Sequence, residues 1–245
     1  LNWRKLEENF GTESEYLGFL RDSPSAAQRL CHVLSNSRFL GDALNKSVES
    51  VTWLGNDEEL KPRTRESLDI QTKAALERNA GSISDFANSV RVMRRHEIER
   101  IGLAWMSGVT DDATSLAGMT DVYDAIIEAS LRWAIRHQLD EMRFDEAPAA
   151  ITVIGMGRYG GREVNFSSDA DVIIIYRPTE EADDGQANLF ARKVQEDLRA
   201  ILQGPTTFEP KIELDMDLRP EGKNGPLVRS YASCEEYYRS WASTW

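Results

Sequence analysis

Residues Val172–Tyr176 spell Val-Ile-Ile-Ile-Tyr, an apolar and mostly β-branched run that belongs in the interior of a fold. Pro178 ends it, since proline cannot donate to a strand ladder, and the sequence therefore predicts a core strand. The mouth of that strand is unusual. Asp169 and Asp171 stand two apart there, which puts both side chains on one face of an extended chain, roughly 6–7 Å apart at the backbone. Like charges so placed repel, and something has to offset them. A later segment, Lys211–Pro220, reads as a second strand, with Ile212, Leu214, Met216 and Leu218 alternating with Glu213, Asp215, Asp217 and Arg219. If the two strands are neighbours, three or four carboxylates meet at one spot. An all-oxygen cluster of that kind suits Mg2+.

Up to residue 146 the chain reads as helical. Phe86, Val90, Met93, Ile98, Ile101 and Trp105 recur every three to five residues and predict one long helix with Ser84 as its N-cap. Ile127, Leu131, Ile135 and Leu139 predict another, after a Gly/Thr/Asp-rich break over 107–121. Shorter helices are expected around 13–21, 24–35 and 37–53, with Pro24 at a helix start. After Ala147-Pro148 the texture changes: "AAITVIG" over 149–155 is a short strand, and a helix is expected at about 187–203. The last stretch spaces Tyr237, Trp241 and Trp245 helically and stops in mid-pattern, as a fragment of a longer protein would. The predicted fold class is α+β, with a helical region over 1–146 and a mixed sheet with flanking helices over 147–245, truncated at its C-terminal end.

A chain of 245 residues suffices for one large domain or two small ones, and 41% hydrophobic with 29% charged residues is the balance of a soluble globular protein. No apolar run nears the roughly 20 residues of a bilayer span, and no signal peptide opens the chain, so no membrane and a cytoplasmic setting are expected. Cys31 and Cys234, with His32, His96 and His137, match no zinc pattern. The net charge of −12 disfavours nucleic acid, which is gripped by a basic stripe. The one basic stretch, Arg91–Arg100, carries its own glutamates and reads as a solvated helix face. A template-dependent polymerase or RNA nucleotidyltransferase is disfavoured on the same ground.

Gly155-Met156-Gly157-Arg158-Tyr159-Gly160 fits GxGxxG after a strand, the dinucleotide fingerprint. Its context fails. A parallel crossover takes a dozen or more residues, whereas eleven separate Gly157 from Asp169, and the acids precede the apolar strand instead of following it. Two roles for the glycines stay open: backbone N–H groups exposed to an anion, or a tight strand-to-helix turn.

Gly-Gly, a short spacer, Asp-x-Asp and a later Asp together resemble the nucleotidyltransferase superfamily with its DNA polymerase β-like fold. More narrowly, "GMGRYGGREVNFSSDAD" (155–171) and "DMDLRPEGKNGPLV" (215–228) resemble the bifunctional glutamine synthetase adenylyltransferase/adenylyl-removing family. "LRPEGKNGPLVR" resembles its C-terminal, adenylylating half in actinobacterial members. The likeness is dense over 155–176 and 213–229 and thinner over 23–44 and 94–108. Tyr159 departs from the family's usual leucine, and Asp217 from a frequent arginine, which favours Asp215 as the third acid.

The resemblance implies transfer of AMP from ATP to a tyrosine of glutamine synthetase, with two Mg2+ ions held by the catalytic carboxylates Asp169, Asp171 and Asp215. It also implies Gly160, Gly161, Ser168 and Arg158 around the nucleotide's phosphates, with Arg219 and Lys223 beside the third acid. Glutamine synthetase is the implied partner, and a PII-type nitrogen signal protein a further one. The other half of such proteins removes AMP by phosphorolysis to give ADP, and the carboxylates alone do not separate the two directions. A non-catalytic module that binds nucleotide is the remaining alternative.

Overall fold

The computed structural model describes Leu6, Glu8, residues 14–205 and residues 211–241; the expected helix start at 13 and Trp245 lie outside them. Helices α1 (Ser14–Asp22), α2 (Pro24–Asn36) and α3 (Arg38–Lys46) are followed by a 3-10 helix (Val48–Gly55) and α4 (Asp57–Leu60). Then come α5 (Arg65–Arg78), α6 (Ile83–Met106) and α7 (Asp112–Met142). Beyond them lie β1 (Ala149–Gly155), the single turn α8 (Gly157–Gly160), β2 (Ala170–Pro178), α9 (Asp184–Gln203), β3 (Leu214–Asp215), a 3-10 turn (Gly222–Asn224), β4 (Val228–Ser230) and α10 (Tyr231–Trp241). The α+β class holds. The change of texture falls between α7 and β1, but the compact units part elsewhere. One comprises Leu1–Thr64 with Met93–Met119, the other Arg65–Val92 with Thr120–Trp245.

Among the described residues, the regular elements of the first unit are all helices. Pro24 opens α2 at a position where its missing N–H costs nothing. Leu30, Val33, Leu40, Leu44, Val51, Leu54 and Leu103 form its core, each burial stabilising by about 1.5–3 kcal/mol. Three expectations need correction. The N-cap of α6 is Ser82, whose hydroxyl accepts from Asp85 N–H at 3.2 Å, rather than Ser84. The break before α7 is shorter than expected, because Asp111 caps the helix by accepting from Thr114 N–H at 2.8 Å and the chain is helical from Asp112. Gly118 belongs inside that helix for a packing reason: a Cβ there would lie 2.8 Å from the Pro62 ring.

The third correction concerns Arg91–Arg100, which is not a solvated face. Arg94, Glu97, Glu99 and Arg100 are buried. Arg100 stacks 4.0 Å over the Trp53 ring, lies 3.3 Å from Glu97 and donates to the Glu59 carbonyl, and Arg95 donates to the Ser47 hydroxyl. In the second unit, Arg91 is 1% exposed and gives two hydrogen bonds, of 3.0 and 2.7 Å, to the Ile201 carbonyl near the end of α9. Helix ends leave carbonyls without partners, and a buried guanidinium fills that role here.

In the second unit β2 is the central strand. It pairs antiparallel with β1, from Ala149↔Pro178 to Gly155↔Val172. Along its other edge it pairs in parallel first with β3, Asp171↔Asp215, and then with β4, Ile174↔Val228. Helix α9, capped by Asp183 accepting from Gln186 N–H at 3.2 Å, buries Phe190, Ala191, Val194 and Leu198. Val172, Ile173, Ile174 and Tyr176 are buried, as their composition demands. The long alternating strand expected over 211–220 shrinks to two residues. Ile212 and Met216 are buried as predicted, but Leu218 is 50% exposed. The reason is local: Asp215 Oδ1 accepts the Asp217 N–H at 2.7 Å, an Asx turn that takes the chain out of the ladder.

Burial raises the Glu99 carboxyl to about 7, against the Arg95 guanidinium and the Ser50 and Ser47 hydroxyls, with Glu49 adding to the rise. The folded chain therefore keeps a proton that the unfolded chain has already lost, and stability falls as pH rises from the ordinary carboxylate range through about 7. Thermal melts from pH 5 to 8 should show wild type losing stability relative to Glu99→Gln, by an amount on the order of 3 kcal/mol at the alkaline end. A pH-independent difference would remove the effect.

Candidate active site

Three carboxylates converge at the start of β2. One oxygen each of Asp169, Asp171 and Asp215 lies within 4.8 Å of the others. Two are placed by the sheet, since Asp171 and Asp215 are direct partners in the parallel pairing of β2 and β3, and neighbouring strands lie about 4.8 Å apart. Asp169 precedes the strand and is exposed, between the Ser168 carbonyl and Ala170, whose N–H donates to Glu213 O at 2.8 Å. The closeness has an electrostatic signature. Partial burial, and then the charges of Asp169 and Asp215, push the Asp171 carboxyl up, and Arg158 acts in the opposite direction. An all-oxygen, mutually repelling donor set fits a hard divalent cation such as Mg2+ or Mn2+. Asp217 is not in the cluster; it pairs with Lys223 at 3.2 Å and Arg219 at 3.4 Å.

The glycine turn lies against these acids. β1 and β2 are antiparallel, which excludes the parallel crossover of a dinucleotide fold. Between them the chain makes one helical turn, and Met156 N–H donates to the Asp171 carbonyl at 2.8 Å. Gly157 has φ +52, and a Cβ there would overlap Asp171 Oδ2. A Cβ at Gly160 would come within 2.5 Å of the Gly155 carbonyl oxygen. The amides of Gly160 and Gly161 donate inside the turn, to Met156 O at 2.7 Å and Gly157 O at 3.0 Å. At Gly157 and Gly160 the structure therefore shows a steric task, that of a tight strand-to-helix turn.

The remaining expected residues divide. Arg158 is exposed on the turn. The Ser168 hydroxyl accepts from Asn165 N–H at 3.1 Å. Lys223 is exposed and paired with Asp217. Arg219 is buried, and its guanidinium donates to the carbonyls of Gly225 (2.9 Å), Met216 (2.7 Å) and Lys223 (3.1 Å). That side chain knits the loop after β3.

Sequence reasoning missed the support. Tyr159, noted only as a departure, is buried and donates its hydroxyl to Asp124 at 2.7 Å, and Tyr123 donates to the Ser168 carbonyl at 2.9 Å. Burial first, then the Asp124 charge, hold the Tyr159 phenol far above its ordinary range, so it stays a neutral donor. The available signal was the three- and four-residue spacing of polar residues early in α7, which looks the same as an ordinary solvated face.

Residues 27–245 match the model of the family described as glutamate-ammonia ligase adenylyltransferase. The chain belongs to that family. Among its relatives, a "Bifunctional glutamine synthetase adenylyltransferase/adenylyl-removing enzyme" of Bifidobacterium longum (strain DJO10A) is 78% identical over all 245 residues, which make up 23% of the relative. A protein of the same name from Mycobacterium tuberculosis (strain CDC 1551 / Oshkosh) is 39% identical over 248 residues, covering this whole chain and 24% of the relative. The chain thus spans about a quarter of the length of the curated relatives it matches. Among the described residues, no helix is long and apolar enough to cross a membrane.

Gly157→Ala should press a methyl against Asp171 and force a left-handed backbone on a residue that resists it. The expected result is a loss of about 1–2 kcal/mol in stability and of most of the Mn2+-induced rise in melting temperature. A wild-type cation response in Gly157→Ala would show that the turn does not shape the acids.

Proposed function

We propose that this chain carries the carboxylate site of an adenylyltransferase that moves AMP from ATP to a tyrosine hydroxyl of glutamine synthetase. The observation that carries this proposal is the meeting of Asp169, Asp171 and Asp215 beside the glycine turn, in a chain of this family. The acceptor's phenol oxygen bonds to the α-phosphorus of ATP while the bond from that phosphorus to the bridging oxygen breaks, and pyrophosphate leaves. No covalent intermediate on the enzyme is needed.

The phenol proton has to go to a base, because a tyrosine hydroxyl ordinarily ionises near pH 10. Contact with a cation held by Asp215, or Asp215 itself acting as base, would serve; the Asp215 Oδ1 also accepts the Asp217 N–H. Two Mg2+ ions held by Asp169, Asp171 and Asp215 would lower the phenol's pKa and neutralise charge on the phosphate oxygens. Arg158 and Lys223 are the proposed cations beside the phosphate tail, with the Ser168 hydroxyl as a donor. Gly160 and Gly161 contribute by letting the turn close tightly beside the acids, and Arg219 by holding the loop that carries Lys223. A PII-type signal protein as regulator and a cytoplasmic setting belong to the same proposal, on the strength of the family resemblance.

The relatives' shared name includes removal of the adenylyl group, which favours a second reading. In it phosphate attacks AMP-tyrosine and ADP leaves, a displacement at the same phosphorus. The test takes the chain with glutamine synthetase, Mg2+ and labelled ATP, and separately with adenylylated glutamine synthetase and phosphate. Label should enter the protein in the first assay. Asp169→Ala and Asp171→Ala should each reduce it by about 100-fold or more, the scale on which loss of one electrostatic stabiliser acts. ADP in the second assay alone assigns the removing activity. Binding of ATP and Mg2+ without turnover in either assay assigns a non-catalytic module.

A further inference from the structure

The chain between the glycine turn and Asp169 has no helix or strand of its own, and Arg162 within it sits at φ 59. Segments of this kind move unless something ties them down. Here one face of α7 does so. Thr120, Tyr123 and Asp124 are spaced three and four apart, as neighbours on a helix surface, with Asp121 alongside. Thr120 Oγ1 accepts a long bond from Val164 N–H at 3.4 Å. Asp121 takes Arg162 at 2.7 Å. Tyr123 donates its hydroxyl to the Ser168 carbonyl at 2.9 Å, and Asp124 accepts the Tyr159 hydroxyl at 2.7 Å.

Asp124 is itself fixed. Arg65, on α5, lies 3.6 Å from it and also pairs with Asp69 at 2.7 Å and with Glu128. Arg162 approaches Asp124 from the loop at 3.7 Å. The segment is therefore anchored at both ends, at Tyr159 where it leaves the turn and at Ser168 where it reaches the acids. Asp169 follows Ser168 directly, and the next residue is already hydrogen-bonded at the sheet edge. Of the three carboxylates it alone lies outside the strands, so its place depends on the Ser168 anchor.

We propose that Tyr123 and Asp124 are positioning residues that hold the 159–168 segment and thereby set the affinity of the three-carboxylate site for divalent cations. The inference rests on Asp169, Asp171 and Asp215 being cation ligands. Neither side chain touches a cation or a nucleotide in this proposal; each acts through the backbone or ring that it holds. Partners that orient metal ligands are typically worth 10–100-fold in metal affinity.

The test is calorimetric titration of Mn2+ alone into the chain and into its Tyr123→Phe, Asp124→Asn and Asp169→Ala variants, with melting temperatures of the metal-free proteins alongside. Tyr123→Phe keeps the ring and loses only the hydroxyl, so the metal-free melting temperature should stay within a few degrees while the Mn2+ dissociation constant rises about tenfold. Asp124→Asn retains an oxygen for Tyr159 but loses its attraction for Arg65 and Arg162, and should weaken Mn2+ by a smaller factor. Should Tyr123→Phe fail to fold, Asp124→Asn carries the test. Loss of binding in Asp169→Ala with wild-type affinity in both α7 variants overturns the positioning role and leaves the cation site standing. A wild-type chain that binds no Mn2+ overturns both.

Discussion

Repulsion among three carboxylates, brought within 4.8 Å of one another, is the constraint around which the second unit is arranged. Two unit charges at that separation repel by about 1 kcal/mol in bulk water and by about 3–4 kcal/mol near a protein surface. Partial burial first, and then the charges of Asp169 and Asp215, raise the Asp171 carboxyl. A fold keeps such a cluster only if other interactions oppose its dispersal. The parallel pairing of β2 with β3 fixes two of the acids through backbone hydrogen bonds, which do not answer to side-chain charge. The buried run behind them, Val172 to Tyr176, supplies the hydrophobic stabilisation that holds the strand in place.

The glycine turn solves a second problem, that of access. Antiparallel β1 and β2 are joined by a connection that has to pass close to Asp171. A side chain at Gly157 would occupy the space of that carboxylate, and one at Gly160 would strike the strand just left. Glycine at 157 leaves the Asp171 carboxylate its space, and glycine at 160 lets the turn fold back on the end of β1. Their shared pattern with dinucleotide-binding loops arises because both need close backbone approach, although what is approached differs.

Much of this could be read from the sequence, and what could not has identifiable physical causes. The core strand and both long helices followed from patterns of period 2 and 3.6 in residues whose burial is one-sided in energy, whereas the meeting of Asp169 and Asp171 with a third acid hung on two strands being neighbours, and the family resemblance singled out Asp215. The strand over 211–220 was overread because alternation says nothing of an Asx turn, in which Asp215 binds the backbone two residues on. Arg91–Arg100 was misplaced because charged residues are judged by their usual exposure, whereas here the guanidiniums meet carbonyls and an aromatic ring brought from distant parts of the chain. Arg219, implied beside the third acid, meets carbonyls of its own loop and lies 3.4 Å from Asp217, contacts that no spacing announces. The support from α7 was hidden because Tyr123 and Asp124 gain meaning only once the 159–168 segment is laid over them.

The central position of β2 makes its alignment sensitive to sliding. A slide of one residue in one direction would carry Asp171 into the buried place of Val172, and in the other direction Arg177 into that of Tyr176; either way every side chain would change faces. Each misaligned state would thus bury bare charge in apolar surroundings, a penalty far larger than any gain from separating the acids. The greasy residues behind the site therefore act as a vernier: they allow a single setting of the strand, and that setting brings the carboxylates together.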